Sequence, residues 1–268
     1  MPATKQAAKK TAAPKRTAKA PAARMTLAET MDLLEKAGSA QTCKTYVRHG
    51  ATPPMFGVSF ATLKTLVKRI GIDHELALSL WDTGNFDARN LAFKIVDPAQ
   101  ITSADLDRWV REAPGARMCG GYVGMLAAES PYAAAKAEQW ASSQDERQRC
   151  AHWALVGYMA SRDETMPDSF YLARLAEIER TIHTAPNAER SAMNMAVIQI
   201  GCRNAELRKA AAAAAKRIGP VDIDYGDTAC KTPDAAEYIA NTWAHSTSKG
   251  FESPAVHERT RESPRVRC

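Results

Sequence analysis

Arginines recur at one kind of place in this sequence, and their type and spacing suit them to hold an anion. In Leu80-Trp81-Asp82-Thr83-Gly84-Asn85-Phe86-Asp87-Ala88-Arg89 a tryptophan, a short polar break and an arginine opening the next apolar stretch follow one another. Gln139 to Trp153 repeats the pattern with Trp140 and Arg149, and residues 200–210 echo it with Arg203. A guanidinium is planar, permanently charged and forked to match phosphate oxygens. Arginines at the start of successive inner helices would therefore line one face and bind a polyanion. For Arg149 the competing reading is an ion pair with Glu146 or Asp145. Lys64, Lys68 and Arg69 lie off the apolar side of their helix, and His49 after Arg48 could touch phosphate, although a hydrogen bond at the helix end is the commoner role.

Other constellations point to less. Asp222, Asp224 and Asp227 miss the ligand ladder of a calcium loop and read as loop carboxylates. His152 beside Trp153 has no second ligand at metal spacing, and the six cysteines form no CxxC pair, so no metal is expected. Gly120-Gly121-Tyr122-Val123-Gly124 follows no strand, and no P-loop occurs, so no cofactor is expected either. The glycines of that stretch would let a DNA backbone pass or let two helices pack closely; the second is commoner in cores.

The elements that must position these residues read as helices throughout. Apolar residues recur at helical spacing from Met25 to Trp243, punctuated by Gly71, Gly84, Pro98, Pro114, Pro131, Pro167 and Gly219, and no stretch alternates at period two. Thr26 with Glu29 makes a capping box, and Ser59 caps the helix bearing Lys64 and Lys68. A helix, a tight turn and a second helix repeated every few tens of residues predict an all-α solenoid, whose units bury their apolar faces only against neighbours. The five tryptophans fall on apolar helical faces and read as core.

The sequence of 268 residues is 45% hydrophobic and 25% charged, with a net charge of +6. That charge is uneven, since residues 1–24 hold seven cations and no acid, leaving 29 basic against 30 acidic residues. Residues 1–24 are expected to be a disordered arm that contacts nucleic acid, or else a solubility tail or targeting peptide. Residues 25–245 should form the helical-repeat domain, and residues 246–268, rich in Ser, Pro, Arg and Glu, a second disordered tail. No run of eighteen apolar residues occurs, so no membrane span is expected, and the scattered cysteines read as reduced thiols of a cytoplasmic protein.

The order of several short motifs resembles the AlkD-like family of DNA alkylation repair proteins. These are Tyr46-Val47-Arg48-His49-Gly50, Phe56-Gly57-Val58, Lys64 and Lys68, Ala77 to Trp81, Asp87 to Ala92, Gln148 to Ala151, Ala192-Met193-Asn194-Met195-Ala196 and Asp227 to Pro233. The resemblance runs roughly from Met25 to His245. It implies a C-shaped solenoid of HEAT-like helix pairs holding duplex DNA, alkylated or branched, in a basic concave channel. It also implies release of N3- or N7-alkylated purines by an aromatic residue, an Asp four positions later, a second aromatic and an arginine. Carried over by position, Arg149 matches the channel arginine, Arg48, Lys64, Lys68, Arg89 and Asn194 fall on matching DNA-facing segments, and Tyr122 stands where the first aromatic would be. The acid has no counterpart, because Glu129 lies about two turns beyond Tyr122, and Asn194 and Met195 occupy the region of the second aromatic. Three readings follow: a glycosylase using Tyr122 or a water held by Arg149, a DNA-binding member without base excision, and a protein-binding solenoid. A monomer is expected in each.

Overall fold

The chain folds as fourteen helices among the described residues, which in this computed structural model are 24–115 and 121–267. The basic arm, Arg24 excepted, lies outside them. The helices are α1 (Leu27–Lys36), α2 (Ala40–Arg48), α3 (Phe60–Ile70), α4 (His74–Asp82), α5 (Phe86–Ile95), α6 (Ser103–Glu112) and α7 (Gly124–Glu129). They continue as α8 (Ala133–Ala141), α9 (Glu146–Arg162), α10 (Asp168–Thr181), α11 (Asn187–Gly201), α12 (Ala205–Ile218), α13 (Ala235–Thr247) and α14 (Pro254–Arg259). Side-chain oxygens start most of them: Thr26 makes the expected capping box with Glu29, and Ser59, Asn85, Asp145 and Asn204 cap α3, α5, α9 and α12. Residues 121–123 are π-helical and lead into the six-residue α7.

Helices pair and stack as the repeat predicts. Within one layer α9 packs against α7 and α11, and α11 against α13; on the other side α8 backs α9 and α10 meets α12. α9 joins two cores, turning Ala151, Leu155 and Met159 to the first and Trp153, Val156 and Ala160 to the second. Apolar residues all round a helix are what a doubly covered helix requires. The tryptophans tie the outer helices together. Trp81 and Trp109 stack at 4.0 Å, Trp81 Nε1 donates to Glu112 (2.8 Å), and Trp140 Nε1 donates to Asp107 (2.8 Å).

One buried carboxylate shapes the N-terminal end. Asp87 is fully buried and accepts from the backbone amides of Phe56 (2.7 Å), Gly57 (3.0 Å) and Val58 (2.9 Å), while Tyr46 Oη donates to Val58 O. Gly57 sits at φ +81°, and a Cβ there would lie 2.3 Å from Ser39 O. Gly57→Ala should therefore lower stability by roughly 2–3 kcal/mol, read as a shifted denaturation midpoint, because strain and collision add.

The C-terminal segment is not the disordered tail expected over 246–268. α13 continues to Thr247, Ser253 caps α14, and the chain then crosses the ends of four earlier helices as a strap. Ala255 N donates to Cys202 O (3.1 Å), Arg259 reaches Ser161 O (3.4 Å) and Arg162 reaches Glu258 O (3.4 Å). Arg265, 3% exposed, donates to Phe93 O (2.8 Å) and Lys94 O (3.0 Å) and pairs with Glu129 (2.9 Å). In return the buried Lys94 Nζ donates to Arg265 O (3.0 Å) and Arg267 O (3.2 Å). The last carbonyls of a helix have no partner within it, so a polar, arginine-rich strand can order itself across such ends.

Candidate nucleic-acid interface

The recurring arginines prove to be fasteners between repeats. Arg89 donates to Trp81 O (3.1 Å) and Glu112 O, and its guanidinium lies 4.9 Å from the Trp81 ring. Arg147 donates to Arg111 O and Ala113 O, Arg190 to Ala185 O (2.9 Å) and Asp222 O (2.7 Å), and Arg203 to Ala160 O, Asp163 O and Met166 O. The forks close carbonyls at the ends of neighbouring helices, such as those of Trp81, Arg111, Glu112 and Ala160, or in the segments between helices, such as those of Ala185 and Asp222, so the arginines serve the stacking of repeats.

Arg149 is held in the same way. It donates to Ser143 O and Gln144 O (both 3.0 Å) and pairs with Glu189 (3.0 Å), a partner on the next repeat rather than Glu146 or Asp145. Asn194 is 3% exposed and donates to Pro233 O (3.0 Å), which ties the long 219–234 segment to α11. Asn187 fastens it again, exchanging two 2.8 Å hydrogen bonds with Asp224. Tyr122 stacks on Phe93 at 4.7 Å, and the carboxylate of Glu129 is taken up by Ser263 and Arg265. The resemblance grouped Arg89, Arg149, Asn194 and Tyr122, and the fold gives each an internal partner of its own.

Open cations gather elsewhere, on α2 and α3. From Lys36 to Ile72 the chain has no carboxylate; residues 1–72 hold 13 basic and 3 acidic residues, and the remainder 23 and 27. Lys44 and Arg48 on α2 and Lys64 and Lys68 on α3 are exposed and form no ion pair among the described residues. Both pairs stand four residues apart, a spacing at which like charges cost a few tenths of a kcal/mol. Among the described residues no ion pair offsets that cost.

An apolar cleft of about 280 Å³ opens beside α2 and α3. Thr45, Tyr46 and His49 of α2, Phe60 of α3, Phe86 of α5, the Pro114-Gly115 turn and Tyr122 line it. The rings of Tyr46 and Phe60 lie 5.8 Å apart, and those of Tyr46 and Phe86 5.2 Å. Gly115, at φ +92°, closes the rim by bringing its backbone against Gly50, where a Cβ would meet Gly50 O at 2.5 Å. Lys64 follows Phe60 by four residues and rises from the same side of α3, and Arg48 adjoins His49.

A second cavity, about 290 Å³, surrounds Arg149 and Glu189 with His152, Trp153, Glu177 and Thr181. His152 is 1% exposed, and neither ring nitrogen makes a hydrogen bond of ordinary geometry. Burial, with Arg174 nearby, pushes its pKa down from 6.5 to about 3, only partly opposed by the Ala137 backbone. Between these values the unfolded chain binds a proton that the folded chain refuses. Stability should thus be full above pH 6.5 and fall towards pH 3 at up to about 1.4 kcal/mol per pH unit. Urea titrations from pH 7 to 4 check this, and His152→Leu should flatten the slope. Among the described residues no cluster of metal-ligating side chains occurs, and no helix is long and apolar enough to cross a membrane.

Comparison with known proteins extends the picture. Residues 28–239 match the family model described as DNA alkylation repair enzyme. The uncharacterized protein Lmo0209 of Listeria monocytogenes is 27% identical over 205 residues, covering 74% of this chain and 88% of the relative. Lin0241 of Listeria innocua is 26% identical with the same coverage. A solved structure from a new family related to the HEAT-like repeat DNA glycosylases, with affinity for branched DNA structures, superposes with a TM-score of 0.76 at 30% identity. It covers 86% of this chain and 98% of its own. The stacked pairs are therefore a HEAT-like helical-repeat fold.

Proposed function

We propose that this chain, which belongs to the DNA alkylation repair enzyme family, binds DNA through the α2–α3 face and favours branched or distorted DNA over plain duplex. The observation that carries the reading is the pair of like-charged couples, Lys44 with Arg48 and Lys64 with Lys68, exposed on a carboxylate-free stretch. Cations so placed displace counterions from phosphates, giving affinity that falls steeply with salt. The affinity for branched DNA described for the similar solved structure supports the preference. Residues 1–24, which precede α1 in the sequence, add seven further cations.

Base excision is not part of this reading. Stabilising charge at the sugar calls for a carboxylate near the aromatic residue, and Glu129 is bound to the strap instead. A shift assay comparing a four-way junction with its linear duplex between 50 and 200 mM salt tests the proposal. The junction should bind more tightly, and both affinities should drop by orders of magnitude over that range. Methylated DNA incubated with the protein should release neither 7-methylguanine nor 3-methyladenine. Equal, salt-insensitive affinity or free methylated base would overturn it.

A further inference from the structure

The aromatic cleft beside the α2–α3 cations has no role in backbone binding, and its lining says what it would take. Four aromatic residues, Tyr46, Phe60, Phe86 and Tyr122, converge there from four separate elements, and among the described lining residues there is no Leu, Ile, Val or Met. A pocket for an aliphatic chain is walled by branched side chains, whereas a lining of rings tilted 49° and 60° to one another offers π faces and edges on which another flat ring can lie. About 280 Å³ lies at the bottom of the range for ligand pockets and suits a single planar ring system rather than a long molecule. His49 supplies a polar edge at the wall, and the Gly50–Gly115 contact keeps the rim low. Arg48 precedes the lining residue His49 and Lys64 follows Phe60 by one helical turn, both exposed, so the ring's carrier should be anionic.

We infer that the cleft receives one unpaired nucleobase while the surrounding cations hold the phosphates on either side of it. The inference rests on the reading that the α2–α3 face binds DNA and adds the part of the nucleic acid that enters the protein. Stacking is tolerant of sequence, because every base has a flat π face. Bases at branch points and bulges are already partly unstacked, so the cleft would favour such structures without reading their sequence.

The test uses the full chain and two duplexes of one sequence, one fully paired and one carrying a single extrahelical 2-aminopurine. The bulged duplex should bind about tenfold more tightly or better, and 2-aminopurine fluorescence should fall on binding as the base stacks against an aromatic ring. Phe60→Leu and Tyr122→Leu keep apolar volume but remove a ring; helical circular dichroism and melting confirm that each variant is folded. In both, the preference and the quenching should be lost while the salt dependence stays. Equal affinity for the two duplexes, or a preference that survives both substitutions, would overturn the inference while leaving DNA binding by this face intact. If neither duplex bound at low salt, the functional reading itself would fall, and the cleft assignment with it.

Discussion

Arg265→Ala should destabilise the protein by about 3–5 kcal/mol, which for a domain of ordinary stability is a large part of the whole. The guanidinium is almost fully enclosed, and its removal strands three groups at once. The Glu129 carboxylate loses its 2.9 Å partner, and the carbonyls of Phe93 and Lys94 lose their donors at the end of α5. Glu129 is itself 17% exposed on its side chain, too little to be rehydrated without opening the strap. Arg261 lies four residues earlier on the same strap, is 54% exposed and makes one ion pair with Glu258. Arg261→Ala should change stability by less than about 0.5 kcal/mol. Equilibrium urea denaturation of the two variants measures the contrast, and equal small effects would show the strap to be superficial.

The triple variant Arg48→Ala, Lys64→Ala and Lys68→Ala should weaken DNA binding on the order of a hundredfold at low salt, with an unchanged melting temperature. Each phosphate contact contributes roughly 0.9 to the slope of log affinity against log salt on duplex DNA, so the slope should fall by about 2–3. The three side chains are exposed and unpaired, and removing them relieves repulsion rather than breaking contacts. Arg149→Ala should do the reverse. It leaves Glu189, 8% exposed on its side chain, without its cation, so stability drops while the salt slope stays. A variant set in which Arg149 alone controlled the slope would return the interface to the α9–α11 side.

Much of this was legible in the sequence, and the rest was hidden for identifiable reasons. Helix positions followed from periodicity and from caps such as Thr26 and Ser59, since both are local properties. The repeated arginine was visible, but its partners were not. Arg89 and Arg203 meet backbone carbonyls 23 to 43 residues away, and a carbonyl leaves no mark in composition. The strap failed for the same reason, because a segment whose order comes from helix ends reads like any polar tail. Tyr122 and Arg149 looked like one site by resemblance, yet Tyr122 stacks on Phe93 and Arg149 answers Glu189. The absence of acids between Lys36 and Asp73 was a signal in plain view. Counting charge over the whole body concealed it, because acids beyond Asp73 cancel the total.

Covalent labelling of lysine amines, read by mass spectrometry with and without a bound DNA junction, tests the placement of the interface most directly. Lys44, Lys64 and Lys68 report on the α2–α3 face, and Lys209 and Lys216 on the exposed side of α12. The account predicts that DNA shields the first three at low salt, that this protection vanishes as salt rises, and that the α12 pair reacts equally in both states. Shielding of Lys209 and Lys216 with Lys44, Lys64 and Lys68 left open would contradict it.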